Sequence, residues 1–517
     1  MGRCLFWEEQ GVLESQLNRV SYGTQGIAID VIIMKTCDLF IQGKCQPSSS
    51  NSTFYSYNPM TSAPYALVTQ AEASDVEQAI SVAHQAFQQW KQSPPALRER
   101  ILLAVADLLS QRQDEFRDCL IEESGSTFLK ASFEASHTPD FLRTMAGECR
   151  RVTGETFHSN LPGVQSYSVR RPLGVIAAVT PFNFPLLLVV KKIGWALAAG
   201  NTVVLKPSER TPVVALKLAH LFQEAGLPDG VLNVITGEGK ELVEAMVDHP
   251  RVRYITFTGS SEVGRQIAVR AARQGKKYSL EMGGKNPLVI LKDADLSYAC
   301  QVAAFSNYFH QGQICMTGSR IIVESDIYDA FLEKFTNTVA QLKVGNPHDP
   351  ETVVGPLISL KQSDLIRQSI NEAVESGAVL VTGGTSDGAL FQPTIVADVK
   401  PEMAIFHKEL FGSCACVIKA DSAEHALALA NQTEYGLSSA VLTNDLQKAM
   451  MFSEGLDTGM VHINGPTVRD EGIIPFGGVK NSGLGREGGR FAMEELTALK
   501  WVTIQQGQQV FPSRFSL

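Results

Sequence analysis

The sequence predicts an α/β protein built on doubly wound parallel sheets, and three observations predict it. Short buried runs alternate with helical segments from Gly174 to beyond Gly259. A second strand–helix–strand series starts at Asn286. The chain has 517 residues, 44% of them hydrophobic, enough for two or three domains with large cores. Strands that alternate with helices in this way form parallel sheets covered by helices on both faces.

The N-terminal part is predicted to be a leader followed by helices. Residues 1–38 are expected to be a leader: the first 33 lack sustained periodicity, and acidic residues interrupt any signal-peptide core. We expect that this leader is disordered or that the native protein starts at Met34. Domain-like sequence starts near Leu39. Apolar residues at helical spacing predict a helix over 75–90 with Ser74 as N-cap. Two more helices are expected over 96–113 and 114–123, and an extended hairpin half over 166–170.

The clearest pattern lies in the middle of the chain. Four buried strands are predicted, over 174–180, 201–205, 231–235 and 251–258. Helices are predicted between them and after them: 186–199 ending at Gly200, one capped by Thr211 that starts at Pro212 and ends at Gly226, and one opened by Gly259.

The second series completes the prediction. It has a strand at 286–291, a helix from Leu296 toward His310, and a strand at 320–325. A glycine-rich loop covers 475–489. The alternating tail at 499–506 is expected to be an edge strand that joins subunits.

Composition excludes several classes of function. With a net charge of −9, the chain lacks the excess of basic residues that is typical of nucleic-acid-binding proteins. No apolar run reaches 18 residues, so no membrane span is expected. The nine cysteines form no CxxC motif, and Cys414 and Cys416 stand too close together, without nearby ligands, to hold zinc. We therefore expect no metal site, and a reducing, cytoplasmic location.

A cysteine and a glutamate carry the chemical signal. Cys315 lies in FHQGQICMTG, where glycine and polar neighbours leave backbone amides free around the sulfur, and its own N–H is placed to stabilise an oxyanion. Glu281 lies in LEMGGKNP, between apolar residues and ahead of two glycines. A carboxyl group in apolar surroundings has a raised pKa and can act as a base. The plainer interpretations are a buried thiol and a solvated carboxylate.

Other strand ends offer binding groups. Asn183 follows a predicted strand, in PFNFP, and is either an Asx-turn residue or a rigid oxyanion donor. Gly259, Ser260 and Gly264 place a helix N-terminus where phosphate can bind. In KPSE, Lys206 and Glu209 can hold ribose hydroxyls, and the carboxylate would repel a 2′-phosphate, which favours NAD over NADP, although NADP stays possible. The alternative is a solvated loop.

The chain resembles the aldehyde dehydrogenase superfamily in seven motifs that follow one another in the same order: PFNFP, GNTVVLKPSERTP, FTGSSEVG, LEMGGKNP, FHQGQICMTG, KELFG and IPFGGVKNSGLGREGG. The resemblance spans residues 39–502. It implies the aldehyde dehydrogenase fold, with an NAD-binding domain over 39–149 and 172–282 and a catalytic domain over 283–489. A small β oligomerisation flap would take 150–171 and 490–517, in a homodimer or homotetramer.

The resemblance also implies roles for individual residues. Cys315 is expected to attack an aldehyde, with Asn183 holding the oxyanion, and Glu281 to activate water against the thioester; Lys192 matches a lysine of the active-site network. Glu409 matches a ligand of the nicotinamide ribose. The full set of expected cofactor residues is Thr180, Pro181, Phe182, Lys206, Ser208, Glu209, Gly239, Gly259, Ser260, Gly264, Glu409 and Phe411.

The substrate pocket is predicted from helical spacing. Phe184, Leu187, Leu188 and Lys191 share one helix face that begins beside Asn183. They are expected to form an apolar tunnel, with the lysine at its outer end, together with Ile314, Met316, Val468 and Phe476. The alternative is plain core. Two departures from the family pattern stand out: Phe182 replaces a tryptophan and Ser413 a proline. Phe182, together with the wording HQGQICM around Cys315, resembles the branch that oxidises aromatic aldehydes such as benzaldehyde, salicylaldehyde or vanillin.

Three rival functions stay open on the sequence. A CoA-acylating dehydrogenase would pass the thioester to CoA, but such enzymes usually lack the base that Glu281 offers. An NADP-dependent semialdehyde or phosphorylated-aldehyde dehydrogenase would need pocket cations, for which Lys191 is the one candidate. A binding or structural protein derived from an enzyme is disfavoured by the intact set of chemical groups.

Overall fold

The structure is a computed structural model that describes residues 35–509, together with Phe511 and Arg514. The expectations for a leader and for Met34 lie outside the described residues, except at 35–38. There the expectation of a disordered leader is wrong, because Lys35–Cys37 form a strand. The described part starts with five strands: β1 (Lys35–Cys37), β2 (Leu39–Ile41), β3 (Lys44–Gln46), β4 (Thr53–Tyr57) and β5 (Pro64–Thr69). Of these, β1, β5 and β4 form a small sheet in that order.

Four helices follow: α1 (Ala73–Trp90), α2 (Pro95–Gln111), α3 (Gln113–Ser124) and α4 (Phe128–Glu148). The first three were predicted, but the N-cap of α1 is Glu72, which forms a capping box with Asp75; Ser74 lies inside the helix. No pattern predicted α4. Its buried face contains Lys130, Glu134, Thr138 and Pro139 among the apolar residues, and these break the periodicity that marks a helix.

The first large sheet is built from strands and helices in alternation. After β6 (Thr156–Phe157) and β7 (Val164–Pro172) come β8 (Val175–Val179), α5 (Leu187–Ala198), β9 (Thr202–Lys206), α6 (Pro212–Glu224), β10 (Leu232–Val234), α7 (Lys240–Asp248), β11 (Val252–Thr258), α8 (Ser261–Arg273) and β12 (Lys277–Glu281). Gly200 (φ 88°) and Gly226 (φ 85°) follow α5 and α6 in the left-handed region, as predicted for helix ends. Thr211 precedes α6, but its side chain makes no capping hydrogen bond.

The second half repeats the alternation. Its elements are β13 (Pro287–Ile290), α9 (Leu296–Tyr308), β14 (Arg320–Glu324), α10 (Tyr328–Val339), α11 (Leu360–Glu375), β15 (Val379–Thr382), β16 (Ser386–Asp387), β17 (Leu390–Phe391), β18 (Thr394–Ala397), α12 (Ala404–His407), β19 (Cys414–Ala420), α13 (Ala423–Asn431), β20 (Tyr435–Gly436), β21 (Ser438–Leu442), α14 (Leu446–Gly455), β22 (Met460–Ile463), β23 (Val479–Lys480), β24 (Gly483–Leu484), α15 (Gly489–Glu495) and β25 (Thr497–Gln505).

Two large sheets result. The first has the order β24-β12-β11-β8-β9-β10-β2-β3, and its five strands from β12 to β10 are parallel to one another. The second has the order β15-β18-β19-β14-β13-β21-β22, in which only β15 runs antiparallel to its neighbour. The predicted α/β class with parallel sheets is confirmed. Antiparallel strands at the sheet edges were not predicted.

The chain crosses from one sheet to the other between Glu281, which ends β12, and Pro287, which begins β13. The carboxyl ends of parallel strands are where ligands bind in such sheets. Strand β24, from the glycine-rich loop, pairs with β12 directly beside Glu281. This crossing therefore brings together the motifs that the sequence singled out.

A third sheet has the order β25-β7-β6 and is antiparallel. Strand β25 lies at its edge, as predicted, and exposes Leu499, Trp501 and Ile504. Within residues 35–509, no helix combines the length and apolar character that crossing a membrane requires.

Candidate active site

Cys315 lies in a strained segment between α9 and β14. Three consecutive residues before it adopt left-handed backbone angles: His310 (φ 50°), Gln311 (φ 57°) and Gly312 (φ 69°). Such angles are costly for residues other than glycine and persist only where the surrounding structure imposes them. At Gly312, a Cβ atom would collide with the backbone oxygen of Gly412. The backbone before the cysteine is therefore held by tertiary contacts.

The side chain of Gln311 supplies some of those contacts. Its Nε2 donates to the backbone oxygens of Gly125 (2.8 Å) and Pro356 (2.9 Å), which belong to distant parts of the chain. The hydroxyl of Ser413 donates to the backbone oxygen of Gln311 at 3.1 Å. The serine that departs from the family pattern thus gains a hydrogen bond to the cysteine segment that proline cannot make.

Asn286 fixes the other side of the segment. Its Nδ2 donates to the backbone oxygens of Cys315 (2.8 Å) and Thr317 (2.9 Å), and its Oδ1 accepts from the N–H of Ser438 at 3.0 Å. A Cβ atom on Gly284 would lie 2.8 Å from the same Cys315 oxygen. This close approach explains the second glycine of LEMGGKNP.

Asn183 lies against the cysteine segment. Its side chain is 3% exposed, and its Nδ2 donates to the backbone oxygen of Gln313 at 2.9 Å. An amide nitrogen carries two hydrogens, so one donor remains after this bond, two residues from Cys315 in the sequence. Its backbone oxygen accepts from Nζ of Lys130 at 2.7 Å. Asn183 is thus held in position from both sides.

A buried ion pair supports the turn that carries Asn183. Lys130 and Glu134, one helical turn apart on α4, are both fully buried and pair at 2.5 Å. Oε1 of Glu134 accepts from the N–H groups of Leu186 and Leu187, each at 2.9 Å, at the start of α5. A carboxylate at this end also complements the helix dipole. The pair joins α4 to the beginning of α5.

Most of the surroundings of the Cys315 thiol oppose its ionisation. Burial raises its pKa to about 12, and the nearby carboxyl groups of Glu409 and Glu281 add to the rise. The ammonium group of Lys191 acts in the opposite direction. Because carboxylates oppose the thiolate, neutralising them or bringing a positive charge close favours the nucleophilic form.

Glu281 ends β12 and is 3% exposed. Neither carboxyl oxygen has a hydrogen-bond partner within the described part of the chain. Burial is the main reason that its pKa lies well above the usual range, and Glu487 raises it further, while Lys192 and Lys191 lower it. A Cβ atom on Gly477 would lie 2.9 Å from Oε1, so the glycine-rich loop covers this carboxyl group closely. These are the surroundings of a general base.

Two adjacent lysines of α5 meet Glu487 from that loop. Oε1 of Glu487 pairs with Lys192, and Oε2 lies 3.5 Å from Nζ of Lys191. Nζ of Lys191 also pairs with Oδ2 of Asp470 at 2.7 Å and lies 3.8 Å from the ring centroid of Phe476. The charge pairs hold the pKa of Glu487 below its usual value and raise that of Lys191.

The position of Lys191 corrects the sequence prediction. We expected a cation at the outer end of the tunnel, but its side chain is 1% exposed and pairs with two carboxylates. Helical spacing gives the face of a residue but not its depth or its partners. A lysine neutralised in this way offers little attraction to a phosphorylated substrate.

The other expected pocket residues lie in one hydrophobic cluster with the cysteine. Leu188, Val468 and Cys315 pack against this cluster. Five expected pocket residues are buried in it: Phe184, Leu187, Ile314, Met316 and Phe476. The ring of Phe184 lies under Nζ of Lys130 at 4.3 Å and packs edge-on against His310, with centroids 5.6 Å apart. The expected pocket residues and the thiol therefore share one apolar cluster.

The expected cofactor residues follow neighbouring strands of the first sheet. Thr180, Pro181 and Phe182 follow β8; Lys206 ends β9 and Ser208 and Glu209 come next; Gly239 precedes α7; Gly259 and Ser260 precede α8, and Gly264 lies in its first turn. Lys206 is buried, and its Nζ lies 3.6 Å from Oε2 of Glu209, which is 39% exposed. Burial lowers the pKa of Lys206.

Two expected cofactor residues come from the second half of the chain. Glu409 packs its carboxyl group against Gly283, and Oε1 accepts from the N–H of Gly284 at 3.1 Å. Burial raises the pKa of Glu409 to about 7. Phe411 (φ 52°) packs edge-on against Phe182, with ring centroids 5.8 Å apart. These contacts join the cofactor residues of the two sheets.

Several residues of the site were missed by sequence reasoning. Lys130 and Glu134 form an i,i+4 pair of opposite charge, a signal that was available but had no predicted helix to carry it. Glu487 and Asp470 follow the last strand of the second sheet as carboxylates in loops, and only the fold brings them to α5.

Comparison with known proteins gives a consistent result. Residues 46–502 match the model of the aldehyde dehydrogenase family. Benzaldehyde dehydrogenase YfmT of Bacillus subtilis is 40% identical, over 92% of this chain and 98% of its own length.

Solved structures are similar over the same range. The crystal structure of a salicylaldehyde dehydrogenase from Pseudomonas putida G7, complexed with salicylaldehyde, matches with a TM-score of 0.91 and 36% identity, over 93% of this chain and all of that one. A betaine aldehyde dehydrogenase from Staphylococcus aureus in complex with NAD+ matches with a TM-score of 0.89 and 32% identity, over 92% and 95%.

Proposed function

Because the chain belongs to the aldehyde dehydrogenase family, we propose that it oxidises an aromatic aldehyde to the carboxylic acid with NAD. The observation that carries this proposal is the position of Glu281, a buried carboxyl group without a partner in the described structure, in the same electrostatic cluster as Cys315. The benzaldehyde and salicylaldehyde dehydrogenases among the similar proteins support an aromatic substrate, as does the apolar cluster around the thiol.

The first half of the reaction uses the thiolate of Cys315. Its sulfur attacks the aldehyde carbon, and the carbonyl oxygen becomes an oxyanion that accepts hydrogen bonds from Asn183 Nδ2 and from the Cys315 N–H. When bound, NAD accepts the hydride that leaves the carbon. The product of this half is a thioester on Cys315. Lys191 favours the thiolate, because its positive charge lowers the pKa of the thiol.

The second half uses Glu281 as the base. It removes a proton from water, whose oxygen attacks the thioester carbonyl; the C–S bond breaks, the acid leaves and the thiolate is restored. The raised pKa of Glu281 makes its carboxylate a stronger proton acceptor than an exposed carboxylate. A residue in this role favours hydrolysis over transfer of the acyl group to CoA.

Several features of the first sheet fit NAD. The hydroxyl of Thr180, at the end of β8, is buried without a partner among residues 35–509. The N-terminus of α8 follows β11, and Gly239 before α7 has open space where a Cβ would stand. Lys206 and Glu209 would hold ribose hydroxyls, and Glu409 the second ribose. Phosphate binding at a helix N-terminus needs no side chain.

A panel of aldehydes tests the proposed function. We expect kcat/KM for benzaldehyde to exceed that for acetaldehyde by at least about 10-fold, because the larger ring buries more apolar surface against the cluster around Cys315. NADH formation followed by absorbance, with each acid identified by chromatography, gives both the rate and the product. Equal or reversed ratios would reject an aromatic substrate, and acyl-CoA forming faster than acid would identify a CoA-acylating enzyme.

Glu209 is expected to set the cofactor preference. We predict that Glu209→Gln lowers the ratio of kcat/KM with NAD to that with NADP by about 10-fold, because the repulsion between a carboxylate and a 2′-phosphate is removed. The measurement is steady-state kinetics with both cofactors at a fixed benzaldehyde concentration. Glu224→Gln, at another exposed carboxylate near the end of α6, is the control and should leave the ratio unchanged. An unchanged ratio in Glu209→Gln would exclude this residue as the determinant.

A further inference from the structure

The loop that carries Glu409 is bonded to the segment that carries Cys315. This ribose loop, residues 408–413, joins α12 to β19, and the cysteine segment, residues 309–319, joins α9 to β14. The hydroxyl of Ser413 is fully buried and donates to the backbone oxygen of Gln311 at 3.1 Å. One residue earlier, the backbone oxygen of Gly412 fills the space that a Cβ atom on residue 312 would need. The two backbones are therefore in direct contact.

Both of these segments hold residues in costly backbone conformations. Phe411 (φ 52°) in the ribose loop, and His310 (φ 50°) and Gln311 (φ 57°) in the cysteine segment, lie in the left-handed region. Such conformations persist only where the surrounding contacts impose them. Ser413 follows Phe411 by two residues and bonds to Gln311 itself. Its hydrogen bond therefore fixes the two strained stretches against each other.

Glu409, near the other end of the ribose loop, is the proposed ligand of the nicotinamide ribose. Its Oε1 accepts from the N–H of Gly284 at 3.1 Å. Between Glu409 and Ser413, Nε2 of Gln362 donates to the backbone oxygen of Leu410 at 2.6 Å. A ribose that binds Glu409 restrains this end of the loop, and the contacts of Gln362 and Ser413 limit how the rest of it can move. The loop can thus carry a restraint from the cofactor to the cysteine segment.

We infer that Ser413 is a positioning residue that couples cofactor binding to the order of the cysteine segment, through its hydrogen bond to Gln311. This inference rests on the proposed function and concerns the regulation of the same site. When the nicotinamide ribose is bound, the backbone that carries Cys315 is held more firmly, so the thiol and its N–H keep their positions. Proline, the usual residue of the family here, has no hydroxyl and cannot make this bond.

Hydrogen exchange followed by mass spectrometry tests the coupling with two ligands that undergo no reaction. ADP-ribose carries the second ribose, which would bind Glu409, whereas ADP lacks it. With each ligand at saturation, we expect exchange in a wild-type peptide covering 309–319 to be slower with ADP-ribose than with ADP by about threefold or more. A single hydrogen bond contributes enough free energy for a change of that size.

Ser413→Ala removes the hydroxyl and should separate the two segments in this measurement. ADP-ribose should still slow exchange in the ribose loop, but the ratio between the two ligands in the cysteine segment should fall to about one. We expect kcat for benzaldehyde to fall by about 3- to 10-fold while KM for NAD changes by less than about threefold, because Glu409 keeps its contacts. Ser413→Pro is the second variant without the hydroxyl, should the first not fold.

Ser439→Ala is the matched control. Its hydroxyl is also fully buried and donates to a backbone oxygen, that of Met460, at 3.0 Å, but Ser439 lies on β21. This variant should lose a similar amount of stability and keep the wild-type ratio between the two ligands.

The outcomes separate this inference from the proposed function. If ADP-ribose slows exchange nowhere in the wild-type protein and benzaldehyde gives no NADH, the proposed function fails and the inference fails with it. If the ribose loop is protected but the cysteine segment exchanges equally with both ligands, only the inference on Ser413 is overturned. A ratio that persists in both Ser413 variants also overturns it, because the hydroxyl would then stabilise the fold without transmitting cofactor binding.

Discussion

Replacing Cys315 by alanine is expected to abolish NADH formation, with kcat reduced by at least about 10³-fold. The reason is that no other thiol can take its place. The other described cysteines of this half of the chain, Cys300, Cys414 and Cys416, are buried, whereas Cys315 lies in the segment that Asn183 contacts and is close enough to Glu281 to be affected by its charge. The measurement is steady-state oxidation of benzaldehyde, together with a search for the acyl-protein by mass spectrometry, which should be absent from the variant.

Cys300→Ala is the matched control for this experiment. Cys300 is a buried thiol on α9, the helix that leads to the cysteine segment. Its replacement should keep kcat/KM within about threefold, although it lowers stability slightly, as the loss of a buried sulfur does. NADH production by Cys315→Ala at the rate of the control would refute a covalent mechanism at this residue.

Replacing Glu281 by glutamine is expected to reduce kcat by about 10²- to 10⁴-fold, the usual contribution of a general base. Because the variant keeps the thiol and the oxyanion donors, the first half of the reaction should survive. We therefore expect a burst of NADH, up to one per active site, followed by very slow turnover. Rapid-mixing absorbance measures the burst, and mass spectrometry should detect the thioester on Cys315. Absence of both a burst and a thioester would mean that Glu281 serves the first half instead.

The pH dependence gives an independent check on Glu281. Its pKa is raised in the folded protein, so the carboxylate that acts as base forms only above the usual range, and activity should rise as pH increases through that raised pKa. This rise in activity with pH should be missing from Glu281→Gln. The control variant Glu262→Gln, at an exposed position of α8, should retain it.

The stability of the folded protein should fall with increasing pH, in the direction opposite to the activity. For an acid with a raised folded-state pKa, the stability contribution is present below the unfolded pKa and is lost as pH rises through the folded value. The melting temperature of the wild-type protein should therefore fall with increasing pH relative to that of Glu281→Gln, whose glutamine side chain cannot ionise.

Much of the fold was predictable because the strands at its centre are buried on both sides. Runs such as residues 174–180 and 201–205 are apolar throughout, and the glycines after α5 and α6 mark helix ends. Helix α4 was not predictable in the same way, since Lys130 and Glu134 occupy its buried face. Charges in a core become favourable only through their partners, and those partners come from α5, distant in sequence.

The residues of the candidate site also differ in how far the sequence alone could predict their positions. Cys315, Glu281 and Asn183 could be proposed from the sequence because each stands near glycine or proline at the end of a predicted strand or in a distinctive loop. The helix face of Lys191 was predicted, yet its expected place at an outer end was wrong, because it is buried against Asp470 and Glu487 from the C-terminal part of the chain. Local spacing gives no information about such contacts, which depend on the packing of the two sheets.

The two carboxylate oxygens of Glu487 lie near adjacent lysines with different surroundings: Lys191 also pairs with Asp470 and lies over the ring of Phe476, whereas Lys192 donates to the backbone oxygen of Phe257. Both lysines lower the pKa of Glu281. A mutation that changes the charge at 191 therefore alters the field at Glu281 as well as the shape of the pocket. In evolutionary terms, a substitution at position 191 changes substrate range and catalytic rate together. Lineages that broaden specificity here would need a compensating change at 470 or 487, whereas substitutions at Val468 or Met316 are free of that constraint.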